Sequence, residues 1–302
     1  MIDFQRLDIS RKAEYEEFLR TSGKGCEYTF VNLSIWGRQE AAFLEDSLVL
    51  FSQFGRSSVY PFPIIRGDAK RVLDAIITDA AQRGIRCRLT SMNDRDRELL
   101  ETLYPGRFRY YSDRDGYDYV YSIDALADLK GKKLQKKRNH LNKFRQLHPD
   151  CRAVPLTCDN LHLARDMADH WIAYRSRIDP DTDLQTERIA LCRAFRRFRE
   201  LELEGLALLE GDAVIAMTMG SRMSADTFDV HFEKAREDID GAYAAINSAF
   251  AGNLREKHPG LRYLNREDDL GLPGLRKAKL SYCPDHMIEK SWARLLEEDD
   301  ED

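Results

Sequence analysis

Eighteen residues, Asn265 to Tyr282, concentrate the reactive side chains of this chain. Three adjacent acids, Glu267, Asp268 and Asp269, are followed by Arg276, Lys277 and Lys279. The pattern is compatible with three tasks. An amine that attacks a carbonyl must lose a proton, and a carboxylate whose pKa is raised by neighbouring negative charge can take it, which suits Glu267 and Asp269. The same acids can hold an ammonium group by charge. They can also cap the following helix and pair with Arg276 and Lys279. Residues 261–264 read as a short buried strand, so the acids come at a strand's carboxyl end, where open α/β sheets bind ligands.

Two further stretches carry candidate chemistry. His231 and Glu233 lie two apart on an alternating strand and are expected on one face of it. A lone strand histidine can equally be a hydrogen-bonded core group. Residues 130–145 form a dense basic run that includes Lys137, Arg138, Asn139 and Asn142. It suits phosphate groups, or it is a solvated helix face. Arg138, Asn142 and Arg145 share one side at i, i+4 and i+7, and Asn139 and Asn142 are weak helix formers whose presence hints at a side-chain task. No Ser-His-Asp spacing, metal-ligand cluster or phosphate P-loop is recognisable.

What must position these groups follows from composition and pattern. With 302 residues, 43% of them apolar, the chain has room for two ordinary cores. The net charge of -5 is about what the six acids of 297–302 supply, so a general attraction to nucleic acid is not expected. The six cysteines show no CxxC pair, which argues against a zinc site or a disulfide framework and for buried free thiols. No apolar run approaches the roughly 20 residues that span a bilayer, and the N-terminus is too polar for a signal peptide, so a cytoplasmic protein is expected.

Along the chain we expect a helix at 11–20, strands at 28–33, 41–44 and 48–51, and an edge or terminating strand at 59–63 because its prolines cannot donate to a ladder. A helix over 69–83, a strand at 86–89, a helix over 94–104 and extended pieces at 107–111 and 118–122 complete the first half. The second half opens with one helix over 124–147, then helices at 160–177 and 187–203 around turn chemistry at 179–183. A hairpin of 206–209 and 213–219, a strand at 227–232, a helix over 242–256, the strand at 261–264, a helix around 272–279 and an extended tail near 286–289 follow. Residues 43–49 line up with 208–214, and 87–94 with 262–269, in the same order of elements, which points to a duplicated α/β domain.

Strands, a long helix, a strand and a helix is the order of the GNAT acyltransferase fold. The wording of the second half is more specific. The stretches Lys137 to Phe144, Asp240 to Asn247 and Asn265 to Tyr282 together resemble an uncharacterised bacterial family related to the C-terminal catalytic domain of phosphatidylglycerol lysyltransferases. The resemblance implies an α/β (α+β) chain of two tandem GNAT-like domains, each a mixed, mainly antiparallel sheet flanked by helices. Their expected limits are 1–122 and 123–292, with an acidic disordered tail at 293–302 and the site in the second domain.

It also implies kinship with Fem-type enzymes, which move an aminoacyl group from a charged tRNA to an amine or hydroxyl. The donor would be aminoacyl-tRNA or an acyl-coenzyme A, with no certain cofactor and no metal. The acceptor would be a small molecule or a lipid headgroup; the membrane-embedded N-terminal region of lysyltransferases has no counterpart here, which favours a soluble one. In GNAT enzymes an Arg/Gln-x-x-Gly-x-Gly/Ala loop opens the long helix and its amides hold a pyrophosphate. Here that loop runs from Arg236 to Gly241, with Ile239 at the middle glycine and Glu237, Asp238 and Asp240 set to repel phosphate, so coenzyme A is not expected in the usual manner.

Catalysis is thus assigned to Glu267, Asp269, His231 and Tyr282, the last at the place of a GNAT general-acid tyrosine. Substrate binding is assigned to Asp268, Glu233, Lys137, Arg138, Asn139, Asn142, Gly241, Tyr243, Asn247, Arg276 and Lys279, with Gly241 leaving the helix N-terminus open. An acyl-coenzyme A N-acyltransferase with a degenerate loop and a non-catalytic binding protein of the same fold stand as alternatives.

Overall fold

The computed structural model describes residues 1–178 and 184–297, and the turn expected at 179–183 lies outside them, as do the last five residues of the tail. The chain divides into two units, Met1–Tyr117 together with the segment from Ile288, and Asp118–Met287.

The first unit contains β1 (Gln5–Arg6), α1 (Lys12–Leu19), α2 (Phe30–Ile35), β2 (Arg38–Leu44), β3 (Ser47–Phe54), β4 (Ser57–Pro61), α3 (Ala69–Gln82), β5 (Arg88–Met92), α4 (Asp94–Leu103) and β6 (Phe108–Ser112). β2 and β3 close through Glu45 and Asp46, both at positive φ (48° and 53°), the backbone twist that a two-residue hairpin needs. Asp68 caps α3, whose Val72, Leu73, Ile76 and Ala80 pack into one core with Val49, Phe51, Tyr60 and Leu89 of the sheet.

The second unit contains β7 (Asp118–Ser122), α5 (Ile123–Asp128), α6 (Gln135–Leu147), β8 (Arg152–Pro155), α7 (Leu161–Ile178), α8 (Gln185–Arg196), β9 (Glu204–Glu210), β10 (Ala213–Arg222), β11 (Thr227–Ala235), α9 (Ala242–Lys257), β12 (Tyr263–Asn265) and α10 (Pro273–Leu280), and its sheet is completed by β13 (His286–Ile288). Its core joins Phe228, Val230 and Leu264 of the sheet to Ile246, Phe250 and Leu254 of α9 and to Leu141 and Phe144 of α6.

The two sheets share one plan. Their orders are β1-β2-β3-β4-β5-β14-β6 and β13-β7-β12-β11-β10-β9-β8, where β14 is Ser291–Leu295. Each has an antiparallel meander, a helix, a parallel strand (β5 on β4, β12 on β11) and then an antiparallel partner. The mixed, mainly antiparallel α/β duplication expected from the sequence is therefore present. That last partner is exchanged: β7 follows β6 in the chain but lies between β12 and β13, while β14 follows β13 but lies between β5 and β6.

Several expectations differ from this. Residues 293–295, placed in a tail, belong to β14, whose Ala293 is fully buried between β5 and β6, so the limits at 122 and 292 shift to 117 and 287. The strand expected at 28–33 is helix α2, because Thr29 caps it by accepting a hydrogen bond from the Asn32 amide. The proline-bearing β4 is interior; its ladder to β3 ends at Val59 and its pairing with β5 begins at Tyr60, so Pro61 needs no donor towards β3. The helix over 124–147 is two helices, parted where Leu129 and Gly131 adopt positive φ (50° and 85°). Of the thiols, Cys26 and Cys87 are buried, whereas Cys158, Cys192 and Cys283 are exposed.

Candidate active site in the second sheet

β11 and β12 run parallel but pair at three positions only, Thr227 with Tyr263, Phe228 with Leu264 and Asp229 with Asn265. Beyond them β11 continues to Ala235, whereas the other chain turns away through Glu267, held at φ 55°. A wedge opens between the two strands. β11 also carries a β-bulge: Met219 of β10 faces Phe232 and the next residue, Gly220, faces Val230, which leaves His231 as the extra residue. Gly220 is needed there, since a Cβ would come within 2.0 Å of the Asp229 carbonyl oxygen. The bulge breaks the alternation, so His231 and Glu233 do not share one row as expected; they reach different partners.

His231 is enclosed. Its Nε2 meets Ser221 Oγ at 2.8 Å and its Nδ1 meets Glu267 Oε1 at 3.1 Å, with Asp229 Oδ2 at 3.5 Å. Ser221, His231 and Glu267 thus form a hydrogen-bonded chain drawn from β10, β11 and the loop after β12. No sequence spacing revealed it, because the three residues meet only through sheet register. Asp229, His231 and Glu267 also bring three ligand atoms within 4.8 Å of one another, the one grouping of this unit compatible with an ion among the described residues; the His231–Glu267 hydrogen bond brings two of them together, and Asp229 approaches His231 without a hydrogen bond.

Glu233 organises a second cluster. Its Oε1 accepts from Arg266 Nη2 at 2.7 Å and its Oε2 from Asn247 Nδ2 at 3.1 Å. The Arg266 guanidinium lies 4.9 Å from the centre of the Tyr282 ring and 5.6 Å from that of Tyr121. Lys137 approaches the same Tyr282 ring, with Nζ 4.0 Å from its centre. Burial, then the positive Arg266 and Lys136, pull the Lys137 pKa down to about 8, against a smaller opposing effect of Glu233. Burial pushes the Tyr282 hydroxyl up to about 12 even though Arg266 opposes the shift.

Two atoms of this cluster, Asn247 Oδ1 and Arg266 Nη1, are buried with no hydrogen-bond partner among the described residues, and no carboxylate there pairs with Lys137. The three stretches singled out in the sequence therefore converge here, through Lys137, Asn247 and the pair Arg266 and Tyr282. Arg266 itself is missing from the sequence-based assignment, although its place beside the acids marked it.

Other assigned residues serve structure. Asp269 is fully buried and receives two hydrogen bonds from Arg276 (2.8 and 2.6 Å), one from the Gly271 amide and one from Tyr119. Burial alone would raise its pKa, but the hydrogen bonds from Arg276, Tyr119 and Gly271 win and hold it well below the usual carboxylate range, which rules it out as a base near neutral pH. Lys279 donates to the Arg266 and Asp268 carbonyl oxygens, and Arg138 Nη1 donates to the carbonyls of Leu129 (2.6 Å) and Gly131 (3.1 Å) at the end of α5. Asn139 and Asn142 are exposed on α6. Tyr243, its hydroxyl pushed up to about 12 by burial, accepts from Trp171 Nε1 at 3.1 Å.

The N-terminus of α9 is not open as expected. Gly241, at φ 86°, lies under α6, and a Cβ there would sit 2.5 Å from the His140 carbonyl oxygen. The acids of the preceding loop are engaged as well, Asp240 by His140 and Lys143, Asp238 by Arg236 and Glu237 by Arg175. In the first unit Tyr60 and Pro61 pair with Leu89 and Thr90, and the buried Lys24 and Lys290 pair with Asp96 and Glu27.

A family model described as phosphatidylglycerol lysyltransferase, C-terminal, matches residues 20–294. The chain belongs to that family. Among solved structures, a conserved protein of unknown function from Bacteroides thetaiotaomicron VPI-5482 is similar, with 36% identity, TM-score 0.91 and coverage of 98% of this chain and 100% of that one. The fold is shared with the L-PGS of Bacillus licheniformis (15% identity, TM-score 0.67, 98% and 94% coverage) and with a tandem GNAT protein from the clavulanic acid biosynthesis pathway (9%, 0.54, 97% and 98%). An uncharacterised protein of Mycoplasmoides gallisepticum is 26% identical over 181 residues, 59% of this chain and 56% of that protein, so the match spans little more than half of that relative's length. At the level of the family these relationships make the chain a relative of aminoacyl transferases. Among the described residues no helix is long and apolar enough to cross a membrane.

Proposed function

We propose that this chain is a cytoplasmic transferase that passes an aminoacyl group from a charged tRNA to an amine or hydroxyl of a small soluble or lipid-headgroup acceptor. The observation that carries this reading is the uneven satisfaction of the cluster around Tyr282. Lys137 and Arg266 Nη1 are donors in want of an acceptor, and Asn247 Oδ1, beside the Glu233 carboxylate, is an acceptor in want of a donor. An α-aminoacyl ester supplies both complements, an ammonium group and a carbonyl oxygen three bonds away. A plain acyl group supplies one.

In this reading the acceptor attacks the ester carbon, the charge that develops on the carbonyl oxygen meets Lys137 and Arg266, and the ribose oxygen leaves as the new bond forms. Glu267, backed by His231 and Ser221, carries the acceptor's proton to the departing oxygen. The covered N-terminus of α9 and its acidic loop speak against an acyl-coenzyme A donor.

The test is to offer the purified protein charged tRNA, uncharged tRNA and acetyl-coenzyme A, and to follow label from the charged tRNA into a panel of amines and hydroxyl compounds. Transfer from charged tRNA, lost in Glu267→Gln, supports the reading. Retention and use of acetyl-coenzyme A alone overturns it.

A further inference from the structure

Away from the wedge, α7 and α8 leave two adjoining grooves of about 290 and 300 Å³, which share Arg188 and Arg196. The floor is apolar, with Leu191 and Phe195 buried, and the rim is formed by the exposed arginines Arg165, Arg188, Arg193 and Arg196 with one acid, Asp169. Arg165 lies 5.8 Å from the centre of the Phe195 ring. Arg175, Arg236 and Arg255 of this unit are matched with acids, with Glu237, with Asp238 and with Asp124 and Asp128, whereas other exposed arginines such as Arg145 and Arg197 stand singly on the surface among the described residues. Of the four on the grooves, Arg165, Arg188 and Arg196 have no acid partner among the described residues. A chain close to neutral overall has thus gathered unmatched positive charge in one concave place.

The spacing of that charge tells what fits it. Arg188 and Arg196 are eight residues apart on α8, about 80° apart around the helix and roughly 12 Å apart along its axis, and both line the two grooves. Cations strung out over that length do not converge on one phosphate. They match a run of about three phosphates along a nucleic-acid strand, and planar guanidinium groups over an apolar floor also accept ribose and base faces. We propose that the α7–α8 groove docks the phosphodiester backbone of an RNA. The proposal rests on the reading of charged tRNA as donor, and names the surface that holds the body of that donor while its aminoacyl end enters the wedge.

The test uses the full chain and bulk tRNA. Binding is measured by fluorescence anisotropy across a salt series for wild type, for Arg188→Glu/Arg196→Glu and for the milder Arg165→Gln, with circular dichroism to confirm folding. Transfer is measured in parallel with charged tRNA and with an aminoacyl-adenosine ester that has no RNA body. The double variant is expected to bind tRNA at least ~10-fold more weakly, with a salt slope shallower by about 2, and to show a raised KM for charged tRNA while its use of the small ester stays unchanged. Arg165→Gln is expected to shift affinity in the same direction by a smaller factor.

Undiminished tRNA affinity in the folded variants overturns the proposal, and so does a wild type that binds anionic phosphatidylglycerol vesicles through these arginines but no tRNA. If wild type binds tRNA through the groove yet uses no charged donor, the docking proposal stands and the transferase reading fails. If it uses charged tRNA and the charge reversals are neutral, the reverse holds.

Discussion

Glu233 and Arg266 bridge the wedge between β11 and the chain beyond β12 with a 2.7 Å charge pair whose two side chains are only 9% and 13% exposed. Removing one member of such a pair strands the other. Glu233→Ala should cost about 3 kcal/mol or more in a denaturant titration, because Arg266 keeps its charge without its partner. Glu233→Gln retains a hydrogen-bond acceptor, so it should cost less stability and still reduce aminoacyl transfer about 100-fold.

Lys137 offers a pH signature. Its pKa is pulled down to about 8 from 10.5, so the folded chain binds fewer protons than the unfolded one between those values, and its contribution to stability improves as pH rises from 8 to 10.5. Activity should do the opposite. If the ammonium form stabilises charge on the carbonyl oxygen, kcat/KM falls as pH rises through about 8, that limb vanishes in Lys137→Met at a much lower rate, and in Lys137→Arg it moves above the accessible range. A falling limb that persists unchanged in Lys137→Met removes the lysine from the mechanism.

Asp269 should behave as a structural acid. Its carboxyl is held below its ordinary value of 3.8, so its stabilising effect is present above that value and is lost as pH falls towards the folded one. Asp269→Asn should lower stability at pH 7 by about 3 kcal/mol, through loss of the charge that faces Arg276, and should flatten the acid limb of the stability curve. Its remaining folded fraction should still turn over, in contrast to Glu267→Gln.

Gly241→Ala tests the covered helix end. The positive φ and the 2.5 Å approach to the His140 carbonyl leave no room for a Cβ, so a loss of about 3 kcal/mol is expected, together with displacement of α6. Unchanged thermal stability of this variant would show that α6 does not rest on Gly241.

Much of this architecture was readable from residue pattern. The apolar stripe of α3, the hairpins at 45–46 and 211–212 and the matched order of elements in the two halves follow from local chemistry, which the fold preserves. The stretches that carry Lys137, Asn247 and residues 265–282 stood out by their wording, but their convergence on one cluster shows only in the fold. What stayed hidden depends on register. The bulge at His231 moves that side chain out of line with Glu233, and Ser221 joins it only because β10 pairs with β11 in that register. Asp269 looked reactive because an unpaired acid and one clamped by Arg276 and Tyr119 have the same spelling. Thr29 turned a β-rich stretch into a helix by a single capping bond, a tertiary and local choice that propensity alone does not resolve.

The placement of β14 bears on how this chain is made. The first sheet receives its Ser291–Leu295 strand from beyond the second unit, so during synthesis β5 and β6 must wait, with open ladder edges, until all of Asp118–Met287 has emerged. Such long-range pairing slows folding, and an unfilled strand slot is a template for the wrong partner. A chain cut after Met287 should accordingly be recovered as aggregate, while the same cut chain supplied with a peptide of residues 288–297 should be rescued into soluble form.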